Sequence, residues 1–163
     1  MKRYFALALL IFSLAACTPL SEQVSVGDCR LESVDRLSMG LSELSLETFL
    51  VVDAQNSSNR DITLSEFSAE VFSKSDKKLA TVTLAGETKP VLPRKSDGEV
   101  QIPLQIEFDN PITAITMAAM SIEDYGKKGF TVSYGCTLSS GLFKKRFSGE
   151  KIPAGEVINM FSK

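Results

Sequence analysis

The stretch "EVQIPLQIEF", Glu99–Phe108, alternates almost without a break. Val100, Ile102, Leu104, Ile106 and Phe108 are apolar; Glu99, Gln101, Gln105 and Glu107 are polar, with Pro103 among them. A period of two puts the apolar set on one face of a strand, whereas a helix would scatter it around its circumference. Proline has no N–H to give a ladder, so Pro103 predicts an edge strand or a bulge.

The same alternation recurs on both sides. In "LSLETFLVVDA", Leu44, Leu46, Leu50, Val52 and Ala54 share one face, while Phe49 and Val51 make the other partly apolar. "QNSSNRD" then reads as a turn. Ile62 and Leu64 are followed by Phe67, Ala69 and Val71; the change of parity predicts a bulge near Ser65-Glu66. "KSDKK" reads as a hairpin turn before "LATVTLAG". Phe130, Val132, Tyr134, Cys136 and Leu138 share a face of "FTVSYGCTL", and Ser139-Ser140-Gly141 leads into "GLFKKRF" as a hairpin. One segment breaks the pattern. Asn110 is a plausible N-cap and Pro111 a first helical residue, with Ile112, Ile115, Ala119 and Ile122 at helical spacing and Gly126 as the stop. The expectation is a mainly β sandwich of about seven strands with one short helix over about 111–125.

The N-terminus carries a different signal. Lys2 and Arg3 precede "FALALLIFSLAA", an apolar run shorter than the ~20 residues that span a bilayer but suited to a signal-peptide core. Leu14, Ala15 and Ala16 then precede Cys17. Together these match a bacterial lipobox, in which a diacylglyceryl group is joined to the thiol and the chain is cut just before it. A leader cut by the ordinary peptidase, or a buried helix with a chance Cys, are the competing readings. The expected organisation is a lipoprotein signal peptide at 1–16, a lipidated tether at 17–23 and one domain at 24–163. Acyl chains such as palmitate would make the anchor stable. Thr18 is not the Asp that holds enteric lipoproteins in the inner membrane, so the expected address is the outer membrane of a cell envelope, facing either the periplasm or the exterior.

Export would make Cys29 and Cys136 available for a disulfide, and both fall at inward positions of alternating segments. Closing so long a loop is worth up to about 4.7 kcal/mol in the chain-entropy model. Two buried thiols are the competing reading. The chain has no His and no Trp and a net charge of −2; losing Lys2 and Arg3 with the leader makes the remainder more acidic. Bulk charge therefore gives no reason to expect nucleic acid. The absence of His removes imidazole bases and His-based metal sites.

The order of features resembles the late embryogenesis abundant type 2 family, also called the WHy domain. The resemblance runs through "FLVVDAQNSSNRDITL", with Asn56 at the first Asn of the family's Asn-Pro-Asn turn and Ser57 where Pro is usual. It continues through "VQIPLQI" and the closing "FSGEKIP", and covers about Leu44 to Ile158. It implies an immunoglobulin/fibronectin type III-like β-sandwich, no catalytic residues and no cofactor. Its members are linked to desiccation and stress tolerance, and several bacterial ones are lipoproteins.

Candidate site residues are few. Cys17 is the lipid attachment point. Lys144, Lys145 and Arg146 form a compact basic cluster able to meet an anionic surface, or to guard a strand edge against pairing. Asp53, Asp61 and Glu66 lie near the Asn-rich turn but match no Ca²⁺ loop spacing, so turn capping is the expected role and no metal is expected. Asn56 also begins a formal N-glycosylation acceptor, discounted in a bacterial lipoprotein. Met117 and Met120 are expected against the sheet. The readings are a membrane-anchored, non-catalytic binding or scaffold module for a protein or cell-wall partner, a stress-protective protein, and lastly a carboxylate-dependent envelope hydrolase.

Overall fold

A computed structural model describes residues 24–32, 36–40, 44–120 and 122–156. The expected leader at 1–16 and tether at 17–23, with Cys17, lie outside the described residues. The strands are β1 Val24–Leu31, β2 Arg36–Met39, β3 Leu44–Asn56, β4 Ile62–Phe72, β5 Lys78–Leu84, β6 Val91–Leu92, β7 Ser96–Phe108, β8 Thr131–Ser140 and β9 Phe143–Pro153. Two helices, α1 Pro111–Ala119 and α2 Ile122–Lys127, separate β7 from β8. The sheet runs β1-β3-β7-β5-β4-β8-β9, with β2 also on β3 and β6 also on β4. Every pairing is antiparallel. The fold is mainly β, a curled sheet closed like a small sandwich. Two more strands are described than expected because β2 and β6 are too short to show a period.

The curl is driven by the alternating faces. Leu50 and Val52 of β3, Ile102, Leu104 and Ile106 of β7, Phe67 of β4 and Cys136 of β8 form one buried cluster. β3 and β7 therefore face β4 and β8 across an apolar interior. Leu50 and Leu104 are wholly buried. Val51, on the other face of β3, is also buried, so this strand is covered on both sides. The bulge expected at Ser65-Glu66 is present: the β4–β8 register shifts between Leu64 and Glu66. Ser65 Oγ donates to the Thr137 carbonyl and Thr137 Oγ1 to Glu66 Oε2.

Pro103 corrects the expectation of an edge strand. β7 lies between β3 and β5 and pairs with β3 over thirteen residues without a bulge. The N and O of one residue point to the same side of an antiparallel strand. The Pro103 carbonyl accepts from Ala85 N at 2.9 Å, so its missing N–H also faces β5. β5 ends at Leu84, opposite Leu104, where Pro103 cannot return the next bond. The proline sits in a central strand, at the point where that side becomes an edge.

The helical segment also departs from the simple reading. Asn110 caps α1 by accepting from Thr113 N at 2.8 Å, and Pro111 is at its start. The backbone then turns extended at Met120 and splits the expected single helix in two. Gly126 lies inside α2; Gly129, at φ 71°, supplies the left-handed stop. Met117 and Met120 pack with Val71, Ala80 and Val132, as expected. Ile112 and Ile115 do not: they are 76% and 71% exposed. Apolar residues occur on both faces of "PITAITMAA", and the larger contact is made by the face carrying Ala114 and Met117.

Truncating Leu104→Ala should cost about 2–5 kcal/mol, because its site is enclosed by both layers. Ile112→Ala should change stability by less than about 0.5 kcal/mol. Urea unfolding of the two variants beside the wild type measures both.

Candidate functional site

The strand registers gather functional side chains at two opposite ends. At the first end, Val24 pairs with Asn56, Asn56 with Ser96, Ile62 with Leu92, Thr63 with Ser139 and Ser140 with Phe143. The start of the described chain, the Asn-rich turn and the tip of the β8–β9 hairpin therefore share one pole.

Asn56 organises this pole. It is fully buried. Its Nδ2 donates to the carbonyls of Arg60, Leu92 and Pro93 at 2.9, 3.2 and 3.1 Å. Its Oδ1 accepts from Ser58 N at 3.0 Å and Ser58 Oγ at 2.7 Å. One amide thus ties the end of β3 to the 57–61 turn and to the chain leaving β6. An Nδ2 enclosed by three carbonyls is not open to a glycan. Asp61 Oδ1 accepts from Arg94 N at 2.8 Å, and Lys95 Nζ donates to the Ser57 carbonyl at 2.7 Å. Asp61 thus ties the turn to the chain after β6 where capping of its own turn was expected, and Glu66 accepts at the bulge. Among the described residues no group of three or more His, Cys, Asp or Glu could hold a metal ion.

The hairpin tip lies beside this turn. Gly141, at φ 60°, begins a two-residue loop between Ser140 and Phe143, a conformation that favours glycine. Leu142 is 100% exposed and Phe143 69%. The Arg60 guanidinium lies over the Phe143 ring, 5.5 Å from its centre. Lys144, Lys145 and Arg146 follow on β9, an edge of the described sheet, where cations also discourage pairing with another chain. Lys145 shares the parity of Phe143 and Phe147 and lies over the Phe147 ring at 5.3 Å, its stem along apolar surface and its charge in water.

At the second pole, Met39 pairs with Leu44, and Leu44 and Ala80 flank Phe108. These residues bound an open groove of about 450 Å³ that also takes in Lys78, Glu107 and Asp109. Helix α1 leaves β7 at its end and exposes Ile112 and Ile115. Lys77 Nζ meets Asp109 Oδ2 at 2.7 Å. The Lys77 hydrogen bond holds the Asp109 carboxyl below its usual range, against a smaller upward effect of desolvation. Gln105 Nε2 donates to Glu107 at 2.9 Å. Beneath the helices, Tyr125 donates to the Met117 carbonyl, and burial raises its phenol above the ordinary value.

Cys136 is buried in the core cluster that includes Val52, and Cys29 stands opposite Val52 in the β1–β3 register. The Cys29 side chain lies outside the described residues, among which no disulfide is present. Sequence reasoning picked out the basic cluster but missed the exposed Leu142-Phe143 tip and the hub role of Asn56. The polar neighbours of Asn56 were legible; its burial was not.

No family model matches the chain, and no curated protein matches it in sequence. Among solved structures it is similar to a protein from Archaeoglobus fulgidus, 11% identical with a TM-score of 0.40, covering 78% of this chain and 98% of that one. It is similar to a putative late embryogenesis abundant protein solved in solution, 12% identical with a TM-score of 0.33, covering 91% and 83%. A protein from Arabidopsis thaliana is 19% identical with a TM-score of 0.31, covering 80% and 82%. None of these carries a family or an activity to this chain.

Replacing Asn56→Ala should cost about 2–4 kcal/mol, since several buried hydrogen bonds are lost at about 1 kcal/mol each and their partners are stranded. Asn56→Asp puts a carboxylate oxygen against three carbonyls, which raises the folded-state pKa of the new group above its unfolded value of about 3.9. The variant's stability is then greatest below the unfolded pKa and is lost as pH rises through the folded one. Its deficit against wild type, followed by urea unfolding, should narrow from pH 7 to pH 4. A deficit independent of pH would contradict the geometry.

Proposed function

We propose that this chain is a bacterial envelope lipoprotein, anchored by acyl chains on Cys17 at the outer membrane, whose late embryogenesis abundant type 2-like domain is a non-catalytic module that binds an envelope partner. Anchoring rests on the sequence from Lys2 to Cys17. The observation that carries the binding role is the second pole, where Ile112 and Ile115 stand in solvent beside the groove bounded by Met39, Leu44 and Phe108. Exposed apolar side chains gathered on one end are what a partner-binding surface needs.

A non-catalytic role is supported by the carboxylates of that groove. Glu107 holds an amide and Asp109 an ammonium. The stress-protective reading is favoured by one observation, the Asn-centred turn at Asn56 on which the family resemblance rests. A deletion strain that survives drying and osmotic shock as well as its parent would remove that support. Export also accommodates the Cys29–Cys136 bridge.

Mass spectrometry of the mature protein should find a diacylglyceryl-modified Cys17 at the N-terminus; an unmodified Cys17 would sink the anchor. A photo-cross-linker in place of Ile115 should capture one specific partner in cells, while one in place of Gln101, on β7, should not. Equal recovery from both positions would count against the groove.

A further inference from the structure

The two poles differ in a way that the anchored reading does not explain by itself. The first pole combines an apolar tip with cations. Leu142 and Phe143 project at the hairpin loop. Around them the registers and contacts place Arg60, Arg94, Lys95, Lys144, Lys145 and Arg146. Among the described residues the carboxylates at this end are Asp61, which accepts from a backbone N–H, Asp97, opposite Gln55, and the paired Asp53 and Glu99, and Glu66, which accepts from Thr137 opposite Arg146. Arg60, Lys144 and Lys145 lie nearest the apolar tip, and Glu66 and the Asp53–Glu99 pair sit farther along the strands.

We propose that this pole is a membrane-contact surface: the Leu142-Phe143 tip enters the interface of an anionic lipid bilayer, and the surrounding cations hold the phosphate headgroups. The proposal deepens the anchored reading and takes its orientation from it. Val24, where the described chain starts, is at this pole through its pairing with Asn56. Six residues, 18–23, separate Cys17 from Val24, and the seven steps between them reach at most about 25 Å. The thirteen residues of β3 hold the poles roughly 40 Å apart. A domain standing on its α1 end would lift Val24 farther from the bilayer than that reach, whereas one standing on the hairpin tip keeps Val24 within it. Charge and apolarity favour the same orientation. Cations near an anionic surface are drawn to the headgroups, and a small apolar projection flanked by cations matches the layering of headgroup over acyl chain.

The absence of Trp from the chain makes each pole separately visible. Phe143→Trp and Ile112→Trp each place one indole at an exposed position. The full-length processed protein carrying either change is reconstituted into phosphatidylcholine vesicles with and without phosphatidylglycerol. Emission from the Phe143→Trp protein should shift to the blue and be quenched by brominated acyl chains on the anionic vesicles. The effect should weaken in about 1 M salt, where screening acts within about 3 Å. Ile112→Trp should give neither signal. Replacing Lys144→Gln should lower the association of the tip with anionic vesicles about fivefold. No quenching of Phe143→Trp, equal quenching at both positions, or the same response on phosphatidylcholine alone would overturn the proposal. The mass of Cys17 in the same sample reports on the anchor independently: an unmodified Cys17 removes the anchor, and the emission shift on added anionic vesicles still decides the tip.

Discussion

The carboxamide of Asn56 is the constraint on which the ordered end of this fold depends. Three backbone carbonyls from two stretches, Arg60 and Leu92-Pro93, converge on its Nδ2. Each would be costly to bury without a donor. A hydroxyl or a carboxylate in the same place offers too few donors, and an apolar side chain offers none. Because Asn56 also ends the thirteen-residue ladder between β3 and β7, it fixes where the sandwich stops and where the 57–61 turn begins. That turn in turn sets Arg60 over Phe143, so the position of the hairpin tip is linked to a buried amide on the far side of the turn.

Much of the architecture was legible wherever alternation was strong. The interior faces of β3, β4, β7 and β8 are those that the period-two pattern marks, and the parity change at Ser65-Glu66 is a bulge. Where the reading failed, the cause was context. Pro103, which has no N–H for a ladder, predicts an edge strand or a bulge; in the fold only one side of that strand lacks the donor, and β5 ends there. The helix was read from one of two apolar faces. Ile112 and Ile115 satisfy helical spacing as well as Ala114 and Met117 do, and only the sheet beneath decides between them. A break at Met120 cannot be seen in a sequence whose apolar run continues through it.

The candidate surfaces were less legible than the fold, for a related reason. "LFKKRF" shows a basic cluster, yet its meaning depends on what shares the pole with it, and that is set by strand register. Arg60, Arg94 and Lys95 are far from Lys144 in the chain and join it only through the β4–β6 and β4–β8 pairings. The groove at the other pole likewise draws Met39, Lys78 and Phe108 from three strands. Antiparallel topology sorts loops to alternate ends, so the hairpin tip and the groove lie at opposite poles. Under the proposed anchoring, the sandwich would be a spacer between a lipid surface and a binding face.

The orientation can be read on the unaltered protein, because lysines occur at both ends. Lys95, Lys144 and Lys145 lie at the hairpin pole, and Lys74 and Lys128 at the helical one; all are exposed. Acylation of lysines, compared between protein on anionic vesicles and protein in detergent and mapped by mass spectrometry, reports which end meets the lipid. The account predicts that Lys95, Lys144 and Lys145 lose reactivity on the vesicle while Lys74 and Lys128 keep theirs. Protection of the helical pole instead, or no difference between the ends, would contradict it.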